Sequence, residues 1–212
     1  MATVHKAART ACPYTVLGLR AGAPRAQVEA AYRQLTAVLD QERFMDAPQS
    51  WVQAQQAMIN VENAFQRISE GDTGTRFDDC QEPAGDEAVH PKLGQMLVAA
   101  GVITLEQLEE AIAKQKTVDL RIGEILKDMS LVTQMELDSF LLNQSLIKLP
   151  PDSPHHFGQR LIGLGLVTED MVRVALVEQR TRDKSLGEIL VERHWLAADI
   201  LDALCAAGAR DA

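Results

Sequence analysis

The chain has few of the residues from which common disulfide and metal sites are built. Its 212 residues include three cysteines, two tryptophans and two tyrosines. The cysteines, Cys12, Cys80 and Cys205, are too few and too scattered for a disulfide framework or a zinc ribbon. The adjacent His155 and His156 do not complete a ligand set, so we predict no metal site.

Long apolar runs and basic stripes are also missing. No segment approaches the roughly 18 consecutive apolar residues of a membrane-spanning helix, and residues 1–11 lack the apolar run of a signal peptide. A net charge of -9 without a basic stripe argues against nucleic-acid binding. We therefore expect a cytoplasmic protein without membrane insertion.

Catalytic motifs are absent as well. The sequence contains no G-x-x-x-x-G-K-[ST] loop, no H-E-x-x-H and no G-x-S-x-G. Gly163-x-Gly165 lacks the third glycine of a dinucleotide fingerprint, and no nucleophile has an assignable base nearby. We expect a protein that is not an enzyme, with no catalytic residue and no cofactor.

What the chain does contain is one 24-residue pattern written four times. The copies begin at Lys92, Arg121, His156 and Ser185 and form two pairs, with five residues between the copies of a pair. Position 3 is always glycine (Gly94, Gly123, Gly158, Gly187) and position 6 is always leucine (Leu97, Leu126, Leu161, Leu190). Position 24 is Gln115, Gln144 and Gln179, and then Gly208. A fixed period indicates a repeated supersecondary unit that buries its apolar face against its neighbours.

The first half of each copy has the pattern of a short helix. In the first copy the apolar residues at helical spacing are Leu93, Met96, Leu97 and Ala100. Gly101 then suits the left-handed turn that ends a helix. The second half predicts a longer helix.

Thr104 begins this second helix, and Gln107 completes a capping box three residues on. Thr133 and Glu136 repeat the arrangement in the second copy. We predict a mainly α fold, in which position 21 is apolar and buried. Its residues are Ile112, Leu141, Leu176 and Cys205.

Residues 1–70 have a different pattern. Its elements are Tyr14-x-Val16-Leu17-Gly18-Leu19, Ala31-Tyr32-Arg33-x-Leu35 and Asn63-Ala64-Phe65. This pattern resembles a J-domain, which implies a short helix followed by an antiparallel helical hairpin. In that family a His-Pro-Asp tripeptide in the hairpin loop stimulates the ATPase of DnaK-type chaperones, whereas this chain has Asp40-Gln41-Glu42. We interpret residues 1–70 as a degenerate docking or oligomerisation module, and a co-chaperone is the disfavoured alternative.

The four-copy region resembles the MshEN domain of type II secretion and type IV pilus assembly ATPases. That family's pattern is Arg-Leu-Gly, a Gly-apolar-apolar turn, a Leu and a closing Gln over 24 residues, repeated after five. Residues 92–144 match it well, and residues 156–208 match it less well. The resemblance implies that two such motifs hold the two halves of one cyclic di-GMP, largely through apolar contacts and backbone groups.

The residues of the first pair suit this ligand chemically. Arg121 can stack on a guanine face, and Gln115 and Gln144 supply both a donor and an acceptor. Glycine at position 3 allows close backbone approach, and the start of a helix offers N–H groups to a phosphate. The candidate ligand-binding residues are Lys92, Leu93, Gly94, Leu97, Gln115, Arg121, Ile122, Gly123, Leu126 and Gln144.

The second pair departs from the pattern. His156 and Ser185 replace the arginines, and Gly208 replaces the last glutamine, which removes much of the polar recognition. A candidate second site comprises Phe157, Gly158, Gln179, Leu186 and Gly187.

These observations divide the chain into segments. A J-like module at 1–70 is followed by an acidic flexible linker at 71–91, where Glu70 to His90 holds seven acids and one arginine. The MshEN-like modules occupy 92–144 and 156–212, with a proline-rich link at 145–155. We expect a non-enzymatic cyclic di-GMP receptor or adaptor that passes ligand occupancy to a partner protein in pilus, secretion or exopolysaccharide machinery. A ligand-independent interaction scaffold is the main alternative.

Overall fold

The computed structural model describes residues 12–70, 90–118, 120–144 and 156–208. All regular structure in these ranges is helical, which confirms a mainly α fold. The first helices are α1 (Pro13–Val16), α2 (Arg25–Val38), a 3-10 turn (Gln41–Phe44) and α3 (Pro48–Ser69). Apart from His90 and Pro91, the acidic linker expected at 71–91 and the proline-rich link expected at 145–155 lie outside the described residues.

The remaining eight helices are the two halves of the four copies. The first pair contains α4 (Leu93–Ala99), α5 (Leu105–Gln115), α6 (Ile122–Asp128) and α7 (Gln134–Gln144). The second contains α8 (His156–Gly163), α9 (Glu169–Gln179), α10 (Leu186–Glu192) and α11 (Ala198–Gly208). Each copy is therefore a short helix, a turn and a longer helix, as the sequence predicts.

Position 10 ends the first helix of every copy with a left-handed residue. The φ angles are 74° at Gly101, 57° at Ser130, 72° at Gly165 and 59° at His194. Glycine adopts this region freely, whereas a side chain makes it costly. Ser130 and His194 adopt it nonetheless, so the turn geometry is kept where the glycine has been lost.

The capping boxes predicted for the first pair are present. The Thr104 amide donates to Gln107 Oε1 at 2.8 Å, and the Gln107 amide donates to Thr104 Oγ1 at 3.2 Å. The Thr133 amide donates to Glu136 Oε2 at 2.8 Å, with the return bond at 3.3 Å. These bonds satisfy amides that have no partner inside the helix, which places the helix starts where the sequence predicts them.

The described residues form two compact units. The first contains residues 12–70, 156–169 and 190–208, and the second contains residues 90–118, 120–144 and 170–189. The N-terminal module thus shares a unit with parts of copies 3 and 4. The sequence divides the chain at different places, because contacts between distant segments are not visible in local patterns.

In the first unit, α1 packs against α3 and α8, α2 packs against α3 and α11, and α3 also contacts α11. Its largest fully buried side chains are Leu17, Leu35, Leu39, Leu161, Leu164, Leu190, Leu196, Ile200 and Leu204. Burying one leucine contributes about 1.5–3 kcal/mol, so this shared core holds the three segments together. The Tyr32 and Phe65 rings stack at 4.3 Å between α2 and α3.

Helix α3 carries two stripes on neighbouring faces. One is small and buried, and consists of Ser50, Ala54, Ala57, Val61 and Ala64. The other is a row of side-chain amides whose three- and four-residue spacing places them on one face of the helix. This amide stripe consists of Gln49, Gln53, Gln56 and Asn60. Small residues let a neighbouring backbone approach closely, which brings the amides within reach of it.

The amide stripe bonds to the turns of copies 3 and 4. Asn60 Nδ2 donates to the Leu164 carbonyl at 2.8 Å, and Gln49 Nε2 donates to the His194 carbonyl at 3.1 Å. Gln53 donates to the Trp195 carbonyl at 3.0 Å and accepts from the Ala197 amide at 2.9 Å. From α2, Gln34 Nε2 donates to the Ala207 carbonyl near the end of α11.

In the second unit, the helices of copy 1 pack on the helices of copy 2. Helix α5 of copy 1 packs on α6 of copy 2, and α4 of copy 1 packs on α7 of copy 2. Each long helix therefore covers the short helix of the other copy. Leu97 and Leu126, at position 6, are fully buried, and Leu108 and Leu137, at position 17, are buried.

Position 21 is less uniform than the sequence predicts. Leu176 is buried, but Leu141 is 51% exposed and Cys205 is also exposed. The prediction that Leu141 and Cys205 are buried was wrong, because helical spacing places a residue on a face without showing which face finds a neighbour. Cys205 has a free thiol. Among the described residues, no helix is both long enough and apolar enough to cross a membrane.

Candidate functional site

The two copies of the first pair begin side by side. A Cβ placed on Gly123, at position 3 of copy 2, would lie 3.6 Å from Cδ2 of Leu93, at position 2 of copy 1. Helices α4 and α6 are in contact, in agreement with this proximity. The starts of both copies are therefore neighbours, and the residues at these two helix starts are called the candidate surface below.

Charged residues stand at the edges of this surface. Lys92 and Arg121 precede α4 and α6, and both side chains are exposed. Next to them, Leu93 and Ile122 are half-buried, so each presents part of an apolar side chain to solvent. The start of each copy therefore carries an exposed cation next to a half-buried apolar residue.

The amide of the residue that precedes each of these two helices is already bonded within the chain. The Arg121 amide donates to Glu124 Oε2 at 2.9 Å, and the Lys92 amide donates to Gln95 Oε1 at 2.9 Å. An acidic or amide side chain three residues into each helix accepts these two bonds, as capping residues do. The expectation that a helix start offers N–H groups to a phosphate concerns the amides further along the helix and stays a prediction.

Glycine at position 3 has a packing role in the first copy. A Cβ on Gly94 would lie 2.5 Å from Leu108 Cδ1, which is closer than real atoms approach. Leu108 itself is buried. The glycine thus lets the short helix sit against the long helix of its own copy. At Gly123 the equivalent distance to Leu137 is 3.5 Å, an ordinary contact.

The closing glutamines bond to backbone at the starts of the copies. Gln115 Nε2 donates to the Leu120 carbonyl at 3.1 Å, and Gln144 Nε2 donates to the Pro91 carbonyl at 2.8 Å. Leu120 directly precedes Arg121, and Pro91 directly precedes Lys92. The glutamines therefore lie beside the candidate surface. Each donates one amide hydrogen to a backbone carbonyl.

The leucines at position 6 lie elsewhere. Leu97 and Leu126 have no exposed surface, which places them in the core beneath the candidate surface. Leu93 and Ile122, at position 2, are instead half-buried.

The residues of the candidate second site fall in different units. Phe157 is half-buried and Gly158 is buried, both in the first unit. Leu186 and Gly187 are buried in the second unit, where Gln179 Nε2 donates to the Lys184 carbonyl at 3.3 Å. The Ser185 amide donates to Glu188 Oε2 at 2.7 Å, so this helix start is capped in the same way as that of Arg121.

Two carboxyl groups are electrostatically tuned by these caps. Hydrogen bonds from the Thr133 amide and hydroxyl hold the pKa of Glu136 below its ordinary value, and bonds from the Ser185 amide and hydroxyl do the same for the pKa of Glu188. Both effects arise because the bonds favour the ionised carboxylate. Within the part of the chain that the structure describes, no group of three or more His, Cys, Asp or Glu side chains could hold a metal ion.

In the J-like segment, Asp40, Gln41 and Glu42 form a helix start. The side chain of Asp40 caps the 3-10 turn by accepting from the Glu42 amide at 3.1 Å. The loop between α2 and α3 therefore has a structural cap at Asp40.

One residue that matters here escaped the sequence reasoning. Gln95 is almost fully buried and bonds both to the Lys92 amide and to Asp170 Oδ1, the latter at 3.1 Å. It therefore joins the start of copy 1 to α9. The signal was present, since position 4 is Gln95, Glu124, Gln159 and Glu188, always a side chain able to cap a helix.

Comparison with known proteins found no match for this chain among family models, curated proteins or solved structures.

Proposed function

We propose that residues 92–144 bind cyclic di-GMP, and that the chain is a non-enzymatic cytoplasmic receptor or adaptor. The observation that carries this proposal is the proximity of Leu93 in copy 1 to Gly123 in copy 2, which places the starts of two equivalent copies side by side. Cyclic di-GMP has two guanines and two phosphodiesters related by two-fold symmetry. A surface made of two equivalent halves matches such a ligand.

The exposed side chains supply complementary chemistry. Arg121 would stack its planar guanidinium on a guanine, a contact worth about 0.5–2 kcal/mol. Lys92 would contribute charge to the other half without a stacking plane, which makes that half the weaker one. Leu93 and Ile122 would pack against the bases through their half-buried side chains. The likeness of the 24-residue pattern to the MshEN domain supports the same assignment.

The receptor would act by passing occupancy to a partner protein. Family association points to pilus, secretion or exopolysaccharide machinery as the setting. The N-terminal module is proposed as the docking element for that partner, and it shares a core with parts of copies 3 and 4.

Calorimetric titration of cyclic di-GMP into the full-length chain tests the proposal. We expect micromolar or tighter binding that Arg121→Ala weakens by about five- to thirtyfold, which corresponds to losing one cation–π contact and its charge. Arg20→Ala is the matched control, because Arg20 is exposed and lies outside the four copies. GTP serves as the control ligand. No heat with cyclic di-GMP, together with an unchanged melting temperature, would remove the proposal.

A ligand-independent interaction scaffold is the second candidate. It is favoured by the internal bonds of the conspicuous residues, since Gly94 packs on Leu108 and the closing glutamines bond to backbone carbonyls. A chain whose repeat residues serve only the fold would melt identically with and without cyclic di-GMP.

A further inference from the structure

Gln115 and Gln144 make the same bond in opposite directions. Gln115, which closes copy 1, donates to the carbonyl just before copy 2, at 3.1 Å. Gln144, which closes copy 2, donates to the carbonyl just before copy 1, at 2.8 Å. Helix α4 packs on α7, and α5 packs on α6. The Gln144 bond joins the end of α7 to the start of α4, and the Gln115 bond joins the end of α5 to the start of α6.

We infer that Gln115 and Gln144 are reciprocal positioning residues, each of which holds the first residue of the other copy for ligand binding. The inference rests on the proposed function and assigns these glutamines a role other than direct recognition of the ligand. A bond to the Leu120 carbonyl fixes the backbone that carries Arg121, and a bond to the Pro91 carbonyl fixes the backbone that carries Lys92. A rotation of either backbone would move the cation away from its base.

The bond made by the closing glutamine also explains why five residues separate the two copies of a pair. Gln115 reaches the carbonyl five residues ahead, and Gln179 reaches the Lys184 carbonyl at the same separation. Each bond therefore closes the loop between the copies of its pair. A longer or shorter spacer would place a different carbonyl opposite the amide.

The second pair lacks one half of this arrangement. Gln179 of copy 3 makes its bond, but copy 4 ends at Gly208, which has no side chain to return it. Reciprocal positioning is thus possible only in the first pair. The second pair is accordingly expected not to bind a two-fold symmetric ligand.

Methionine variants of the full-length chain test this role. Gln115→Met and Gln144→Met keep the side-chain volume and neutral charge but remove the donor. Each should weaken the binding of cyclic di-GMP by about three- to tenfold, the loss expected for one hydrogen bond. Gln66→Met is the matched control, because Gln66 is an exposed glutamine outside the four copies that also donates one side-chain bond, to Glu70 Oε1, and it should leave the affinity unchanged. Circular dichroism confirms that each variant is folded at the titration temperature.

A double-mutant cycle separates positioning from direct contact. In an Arg121→Lys background the effect of Gln115→Met should shrink, because Gln115 acts through the placement of Arg121. Equal effects in both backgrounds, or wild-type affinity in both methionine variants, would overturn this inference and leave the receptor proposal intact. A wild-type chain that does not bind cyclic di-GMP would overturn both.

Discussion

Gly94 and Leu108 are in contact across the turn of copy 1, and a Cβ on Gly94 would lie 2.5 Å from Leu108 Cδ1. The Gly94→Ala variant should therefore unfold more easily, by about 1–3 kcal/mol, because the buried leucine must move. Gly123→Ala is the matched control. Its Cβ would lie 3.5 Å from Leu137, so alanine should be neutral or stabilise α6 by about 0.5–1 kcal/mol. Urea denaturation measures both, and equal losses would contradict the packing account.

The amide stripe of α3 predicts an unequal response of two glutamines on one helix. Gln53→Ala removes the bonds to the Trp195 carbonyl and the Ala197 amide, and should lower the free energy of unfolding by about 1–3 kcal/mol. Gln55→Ala, at an exposed position of the same helix, should change it by less than about 0.5 kcal/mol. A melting temperature for Gln53→Ala equal to that of Gln55→Ala would show that the stripe does not hold the turns.

The left-handed residue of copy 4 offers a stabilising change. His194→Gly should raise the free energy of unfolding by about 0.5–1 kcal/mol, because φ is 59° there and glycine adopts this angle without a steric penalty. The matched change at the same motif position is Gly101→Ala, where φ is 74° and alanine should destabilise. Denaturation midpoints decide the sign, and a lower midpoint for His194→Gly would mean that the histidine side chain has a role of its own.

The cap at Thr133 predicts how stability depends on pH. Because the folded pKa of Glu136 is lowered, its contribution is complete above the ordinary glutamate pKa of about 4.3 and is lost as the pH falls through the lowered value. Glu136→Gln should therefore melt below the wild type at neutral pH and converge with it in strong acid. Gln107 shows that glutamine can form the same box.

Glu109→Gln, an exposed glutamate of α5, is the control for this measurement. Melting curves of the three proteins across the acid range give the comparison. A gap between Glu136→Gln and wild type that stays constant with pH would show that the cap does not depend on ionisation.

The candidate site was partly visible in the sequence. The repeat register placed Lys92 and Arg121 at equivalent positions, and both prove to be exposed at helix starts. The adjoining of their copies, through Leu93 and Gly123, could not be read from the register. Nor could the bond from Gln144 to Pro91, whose partners are separated by 53 residues.

The burial of side chains was also only partly predictable from the sequence. Spacing placed Leu176 and Leu141 on inner helix faces, yet only Leu176 is buried. Periodicity identifies an apolar face, but a neighbour must also be present to cover it. Cys205 was misassigned for this reason too.

The sequence by itself determined the short and long helices of the copies, the caps at Thr104 and Thr133, and the left-handed turn at Gly101. These features depend on hydrogen bonds and backbone angles within about five residues, so neighbouring residues are enough to specify them. Only the tertiary structure decided that long and short helices exchange between copies 1 and 2, and that the amides of α3 bond to turns more than 100 residues away. Those contacts depend on surfaces that fit each other once distant segments have packed into a shared core. The local sequence pattern does not show which distant surfaces fit.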